Sequence, residues 1–351
     1  MSLRDELLER FPRLRLVPLP VWVVGGAVRD RLLGAEPVDV DLAVADPVAA
    51  ARATGRKVIQ LGRGPLSAWR VVQEGRTYDF AEIVGGTLET DLARRDFTVN
   101  AIALDLKSGE LIDPHHGRED LAAGIVRMID PSNFDDDPLR MLKAVRMAVR
   151  FGFAIDSSTA DAIRSRAPAI VSSAGERTGY ELSLIFSAGR LRSAIDLLHR
   201  CGLDLPLFGA PLDSAAVHAD DVPLAPSLAL LVRDPRAVAR RWRWSSSLLQ
   251  NVLTLQKLAS DHSLISLFAA GEEVAGQLPV LLRAMGKETS VPMPDFTMRP
   301  LLDGQAISAM TGLPEGRTLG MVVRRLIEAQ ILGMVTTREE AERFVRDVKP
   351  L

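Results

Sequence analysis

Several features that would assign this chain to a familiar class are missing from its sequence. There is one cysteine, Cys201, in 351 residues, which excludes a disulfide framework and fits a reducing compartment. No run reaches the roughly 18 consecutive apolar residues of a membrane span. The opening MSLRDELLERFPRL reads as a charged amphipathic helix without the apolar centre of a signal peptide. A soluble cytoplasmic protein with no membrane contact is the expectation. The net charge of −2 carries no overall basic signature of a nucleic-acid binder, although local distribution matters more than the sum. No repeat of fixed period occurs, and the glycines near residue 25 lack the third glycine of a dinucleotide fingerprint.

What is present is ordinary globular composition, 47% hydrophobic and 25% charged, enough for two or more packed domains. Up to about residue 128, helices mix with short β-branched strands: VWVVGG, VDVDLAV, a hairpin WRVVQEGRTYDFAEI turning at Glu74-Gly75, and NAIALDLKSGELIDP turning at Ser108-Gly109. Beyond that the strands are expected to stop. Helical periodicity and capping signals then recur from DDDPLRMLKAVRMAVRFGF to GMVVRRLIEAQILGMV. Segments 209–227 and 286–300, rich in Pro, Ser and Asp, are the candidate boundaries.

Four constellations carry chemistry. In VVGGAVRDRLLGAEPVDVDLAV, Gly25 and Gly26 follow a strand, so backbone N–H groups and a helix N-terminus are offered to a phosphate. Apolar residues at 38, 40, 42 and 44 predict one buried strand face, which sends Asp39 and Asp41 out together on the other. Two carboxylates on one face repel unless a cation lies between them, and near phosphates that cation is usually Mg2+. Asp79 on RTYDFAEI is the candidate third carboxylate, with Glu82 the alternative. In DLARRDFTVNAIALD, Arg94 and Arg95 are suited to gripping a triphosphate, and Asn100 to holding a ribose hydroxyl or phosphate oxygen; Asp96 would fix an arginine. DPHHGREDL (113–121) is read as a turn capping the next element, since adjacent His115 and His116 suit a metal poorly. In DDDPLRMLKAVRMAVRFGF, Asp136 or Asp137 and Arg140 are expected on one helical face, with Lys143 and Arg146 continuing the row. A carboxylate beside an arginine resembles a base-pairing edge.

These motifs together resemble those of the tRNA nucleotidyltransferases, the CCA-adding enzymes, and the related bacterial poly(A) polymerases of the polymerase-β nucleotidyltransferase superfamily. The family pattern G-G-x-V-R-D…D-x-D is matched by Gly25, Gly26, Val28, Arg29, Asp30, Asp39 and Asp41, and R-R-D-F-T-x-N-A by Arg94 to Ala101. The turn motif matches at Asp113, Gly117, Asp120 and Leu121. The nucleotide-selecting motif matches at Asp136, Asp137 and Arg140, with Asp136 in place of the usual glutamate and Lys143 where arginine is common. GERTGYEL resembles the neck helix, and LLDGQAISAMTGLPEGRTLGMVVRRLIEAQILGMVTTREEAERFV the tail. No H…HD…D pattern of a phosphohydrolase domain occurs. The match is specific over residues 21–190 and weak over 205–295.

The resemblance implies an α+β fold: a nucleotidyltransferase head (1–128) with a small sheet and flanking helices, then an elongated all-α neck (129–205), body (206–293) and tRNA-binding tail (294–351). It implies template-independent addition of CMP and AMP to the tRNA 3′ end, as CCA synthesis or repair or as CC addition only. Two Mg2+ ions would bind Asp39 and Asp41, and pyrophosphate would leave. Gly25, Gly26, Arg29, Arg94, Arg95 and Arg146 would position the triphosphate of CTP or ATP, and Asp137 with Arg140 would choose the base. The tRNA acceptor arm would run over Arg240, Arg241 and Arg243, where Trp242 is equally well placed to be core; no protein partner is indicated. Poly(A) polymerase shares every motif. A catalytically dead RNA-binding relative is the non-enzyme alternative, against which Asp39, Asp41 and Arg94-Arg95-Asp96 argue. Relatives with a long flexible loop before the R-R-D motif use it as a lever between C and A, and relatives without it stop after two cytidines. Here FAEIVGGTLET alone separates Asp79 from Asp91, and Gly85-Gly86 predicts a tight turn.

Overall fold

A computed structural model describes residues 2–62 and 67–348. Two compact units divide the chain: Met1–Ala188 with Ser193–Leu212, and Gly189–Arg192 with Asp213–Leu351. The change of unit at 212–213 falls within 209–227, and 286–300 lies wholly inside the second unit.

The first unit begins with helix α1 (Leu3–Arg10), capped by Ser2. Strand β1 (Val21–Val24) ends at Gly25, whose φ of +73° turns the chain directly into α2 (Gly26–Leu32). Strand β2 (Asp39–Val44) follows, then α3 (Pro47–Thr54), which starts on the pairing of an Asp46 cap with a proline. Strands β3 (Val58–Leu61), β4 (Ala68–Gln73) and β5 (Arg76–Glu82) come next. Glu74 and Gly75, both at positive φ, make the two-residue turn expected between β4 and β5. After α4 (Leu88–Ala93), β6 (Ala103–Asp105) and β7 (Leu111–Ile112) pair across the turn at Gly109. The sheet order is β3-β4-β5-β2-β1-β6-β7, so β2 is central, antiparallel to β1 and parallel to β5.

On β2, Val40, Leu42 and Val44 are at most 2% exposed, and Asp39 and Asp41 face the other way with solvent access. Val38 departs from the expected stripe. It precedes the strand, has no partner in a register that opens at Asp39 opposite Thr77, and is 62% exposed.

Helix α5 (Gly117–Ala123) is capped as expected: the Asp113 carboxylate accepts the N–H groups of Gly117 (2.7 Å) and Arg118 (2.9 Å). The strands do not stop at residue 128, however. A two-residue parallel ladder joins β8 (Ile125–Val126) to β9 (Ala154–Ile155), a pairing too short for any periodicity to announce. Between them lie α6 (Asn133–Asp136) and α7 (Leu139–Phe151). Here the expectation of one continuous helical face needs correction. Asp137 is extended (φ −144°, ψ 95°) and breaks the helix, because Pro138 disfavours helical geometry in the residue before it. The Asp137 side chain instead accepts the Leu139 N–H at the start of α7. Helix α7 buries a leucine, valine and methionine stripe and packs on α9 (Gly175–Phe186), reached through α8 (Ser157–Arg166). Helices α10 (Leu191–Arg200) and α11 (Asp204–Phe208) follow.

The second unit is helical: α12 (Leu224–Leu231), α13 (Pro235–Arg241), α14 (Ser246–Leu258), α15 (Leu264–Ala270), α16 (Glu272–Ala275), α17 (Leu278–Ala284), α18 (Gly304–Thr311), α19 (Arg317–Ile331) and α20 (Arg338–Asp347). Leu319, Val322 and Leu326 of α19 meet Ile307 of α18 and Ala341 and Val345 of α20 in one apolar cluster. Among the described residues, no single helix is long and apolar enough to cross a membrane.

Candidate active site

A cleft in the first unit gathers Gly25, Gly26, Arg29, Asp41, Arg95, Asp96, Asn100, Asp137, Arg140 and Lys143. The sequence motifs point to each of these ten, from four separate stretches of chain. The floor is the Gly25 corner. A Cβ there would sit 3.1 Å from Arg95 Nη1 and 3.5 Å from Asp41 Oδ2, so both the positive φ and the close approach call for glycine.

Arg29 is only 8% exposed and is heavily committed. It donates from Nη1 to Asn100 Oδ1 (2.6 Å) and from Nε and Nη2 to Asp30 Oδ1 (2.8 and 2.6 Å). Asn100 in turn donates to Asp96 Oδ1 (2.9 Å), which also accepts the Phe97 N–H. The guanidiniums of Arg29 and Arg150 both lie over the Phe151 ring, 5.0 and 4.9 Å from its centroid. This chain of bonds fixes the wall of the cleft, and Asp96 steers Asn100 rather than an arginine. Behind it, buried Asp120 accepts from Thr98 Oγ1 (2.7 Å) and Arg127, which also donates to Asp156.

Arg95 is held differently. Its Nη2 donates to Asp91 (3.2 Å), while its Nε is buried without a partner among the described residues. The Asn133 side chain donates to the carbonyls of Ala93 and Arg95, and the Asn133 carbonyl accepts from Arg140 Nη1 (2.9 Å). Asp137 accepts from Arg177 on α9 (2.9 Å).

The carboxylates lie at one level of the sheet. Asp41 and Asp79 are direct neighbours across the parallel pair β2·β5 and share a face with Asp39. Glu82, three residues on, belongs to the opposite face. Asp41 reaches solvent through the cleft but is crowded by protein atoms. That desolvation, with repulsion from Asp79 and Asp39 and against the pull of Arg95, pushes its carboxyl up to about 6. Asp79 has both oxygens on Arg70, at 2.8 and 2.6 Å. The two-residue hairpin turn places Arg70 opposite Asp79, so this partner was readable from the sequence and was missed. Among the described residues, no three His, Cys, Asp or Glu side chains converge as a ready-made metal site.

Five expected residues lie outside the cleft lining: Asp39 and Asp79, beside Asp41 on the same sheet face, and three others. Arg94 is exposed, Asp136 is exposed at the end of α6, and Arg146 donates to buried Glu181 (2.7 Å) across the α7–α9 contact. In the second unit Arg240, Arg241 and Arg243 are exposed, while Trp242 is core at 2% exposure with Arg241 stacked on it at 4.7 Å.

Comparison with known proteins agrees with this architecture. Residues 21–65 and 66–127 match the Poly A polymerase head domain, and 152–211 the probable RNA and SrmB-binding site of polymerase A. The chain is 29% identical to the CC-adding tRNA nucleotidyltransferase of Geobacter sulfurreducens, over 92% of its length and 91% of that protein. It is 30% identical to the A-adding tRNA nucleotidyltransferase of Deinococcus radiodurans, over 97% and 98%. The structure superposes on the Bacillus stearothermophilus CCA-adding enzyme in complex with CTP with a TM-score of 0.82 and 26% identity, covering 99% and 98% of the two chains. With a relative at 30% identity along almost its whole length and the family's motifs gathered in one cleft, the chain belongs to the tRNA nucleotidyltransferases.

Proposed function

We propose that this nucleotidyltransferase adds cytidylate to the tRNA 3′ end and stops after two residues. The observation that carries the reading is the turn Ile83–Thr87. Gly85 and Gly86 both adopt positive φ, and Gly85 lies so close to Thr90 that a Cβ would fall 2.3 Å from its Cγ2. Thr87 caps α4, and Asp91 accepts the Val84 N–H. A turn folded onto its own helix in this way has no arm to act as a lever between cytidine and adenosine.

Asp39 and Asp41 suit a hard divalent cation: they offer oxygen donors only, on one face, with Asp41's negative charge incompletely compensated. Two Mg2+ ions held there would sharpen the attacking 3′-hydroxyl and neutralise charge on the α-phosphate, with pyrophosphate leaving. Asp79, tied to Arg70, keeps the carboxylate cluster partly balanced. The Gly25-Gly26 backbone, Arg95 and Lys143 receive the triphosphate, and Arg29 holds Asn100 for the ribose. Asp137 and Arg140 offer an acceptor and donors to the base edge. Arg240, Arg241 and Arg243 supply phosphate contacts to the tRNA.

The test offers each nucleotide separately to a tRNA transcript ending at the discriminator base, and ATP to one already ending in CC. Two CMP additions with poor AMP addition are expected. Efficient AMP addition to the CC-ended tRNA overturns the CC-only reading, and long A-tails on unrelated RNA would identify a poly(A) polymerase.

A further inference from the structure

Asp91 has no evident task in the sequence, since it precedes the R-R-D motif and is absent from the cleft lining. In the structure its two oxygens are divided. Oδ1 accepts the Val84 N–H of the turn (3.2 Å), and Oδ2 accepts Arg95 Nη2 (3.2 Å). Both partners of the ion pair are largely enclosed, at 13% side-chain exposure for Asp91 and 24% for Arg95. Among the described residues, that leaves the Arg95 guanidinium anchored through Nη2 alone. Its Nη1 sits over the Gly25 corner, and its Nε is buried with no partner among the described residues. A guanidinium fixed through Nη2, with Nη1 at the floor of the cleft, presents a directed donor to an anion.

We propose that Asp91 is a positioning residue that aims Arg95 at the nucleotide's phosphates and anchors that aim to the Ile83–Thr87 turn. The inference rests on the reading that the triphosphate occupies this cleft. The chemistry follows from the geometry. A carboxylate oxygen on Nη2 fixes the plane of the guanidinium, and without it a long side chain returns to many rotamers. The Val84 N–H holds the carboxylate from the other side, so Asp91 cannot swing to follow Arg95. Helix α4 supplies the spacing: Asp91 and Arg95 are four residues apart, with Arg95 just past its end.

The experiment is a double-mutant cycle on the full chain, measuring CTP affinity by calorimetry with Mg2+ present and tRNA omitted, so that no turnover occurs. Asp91→Asn keeps an acceptor for Val84 and loses the charge on Arg95. It is expected to weaken CTP binding about tenfold, the scale of a charged hydrogen bond, with thermal midpoint and tRNA affinity near wild type. Arg95→Ala should weaken CTP at least as much, and adding Asp91→Asn to it should change nothing further. If Asp91→Asn weakens CTP by the same factor in the Arg95→Ala background, or leaves wild-type affinity intact, the inference is overturned. If Arg95→Ala itself leaves CTP affinity unchanged, the nucleotide reading of the cleft fails instead. Should Asp91→Asn not fold, Asp91→Glu keeps the charge while displacing it, and an unaltered CTP affinity there also counts against Asp91.

Discussion

In the first unit, every arginine that lines the cleft is tethered: Arg29 to Asn100 and Asp30, Arg95 to Asp91, Arg140 to the Asn133 carbonyl. At the end of α13 in the second unit, Arg240, Arg241 and Arg243 stand at the surface around a buried Trp242. Side chains that must meet one nucleotide in one geometry gain from being held before it arrives. Side chains that meet a long polyphosphate backbone gain mainly from their charge, which acts at a distance and is screened by salt. The comparison separates geometry from charge, and experiments on each region should fail differently.

The largest effect is expected in the tethered cleft. Asp41→Ala should lower nucleotide addition by about 1,000-fold or more, through removal of several kcal/mol of charge stabilisation, with tRNA affinity nearly unchanged. Retention of a tenth of wild-type turnover would show that Asp41 is not a metal ligand in the reaction. Next is Arg140→Ala, expected to raise UTP misincorporation relative to CTP by about 10- to 100-fold, the scale of one bidentate hydrogen-bonded pair with a base, roughly 1–3 kcal/mol. Single-nucleotide addition assays read this directly, and unchanged selectivity moves Arg140 to a phosphate role. Third, replacing Arg240, Arg241 and Arg243 together by alanine should weaken tRNA binding without changing CTP affinity. The slope of log affinity against log salt should flatten by about 0.7–0.9 for each phosphate no longer neutralised; an unchanged slope removes these residues from the RNA surface.

The smallest expected effect concerns the metal-free protein. Asp41's carboxyl lies near 6 in the folded state, above its ordinary 3.8. A raised acid stabilises the fold below its unfolded value, and that contribution is lost as pH rises through about 6. Asp41→Asn should therefore raise the thermal midpoint at pH 7.5 in a chelator, and the gain should vanish below about pH 4. A constant gain across this range would mean that Asp41 is not strained by its neighbours.

Much of the cleft was legible because its signals are local. The Gly25 corner, the alternation of Asp39 and Asp41, the Glu74-Gly75 turn and the Asp113 cap each follow from a few adjacent residues and one geometric rule. What escaped required partners far apart in sequence. Arg146 has the spacing of the Arg140 row, yet Glu181, 35 residues on, claims it. Asn133 has the look of a loop residue, yet it joins the Arg95 backbone to Arg140. The break at Asp137 is a different failure. The proline is plain in the sequence and marks a helix start, but its constraint on the preceding residue is what decides where that carboxylate points.

Helix α7 touches the head at successive turns: Arg140 and Lys143 at the cleft, Met147 with its sulfur 3.5 Å from Asn100 Nδ2, and Phe151 beneath Arg29. Spaced three and four residues apart, these side chains form one stripe along about 17 Å of helix. The helix therefore has the build of a camshaft. A small roll about its axis would move Arg140, Lys143 and the Met147 contact on Asn100 together. These contacts share one rod, so a substitution that repacks the buried side of α7 is expected to shift all of them together.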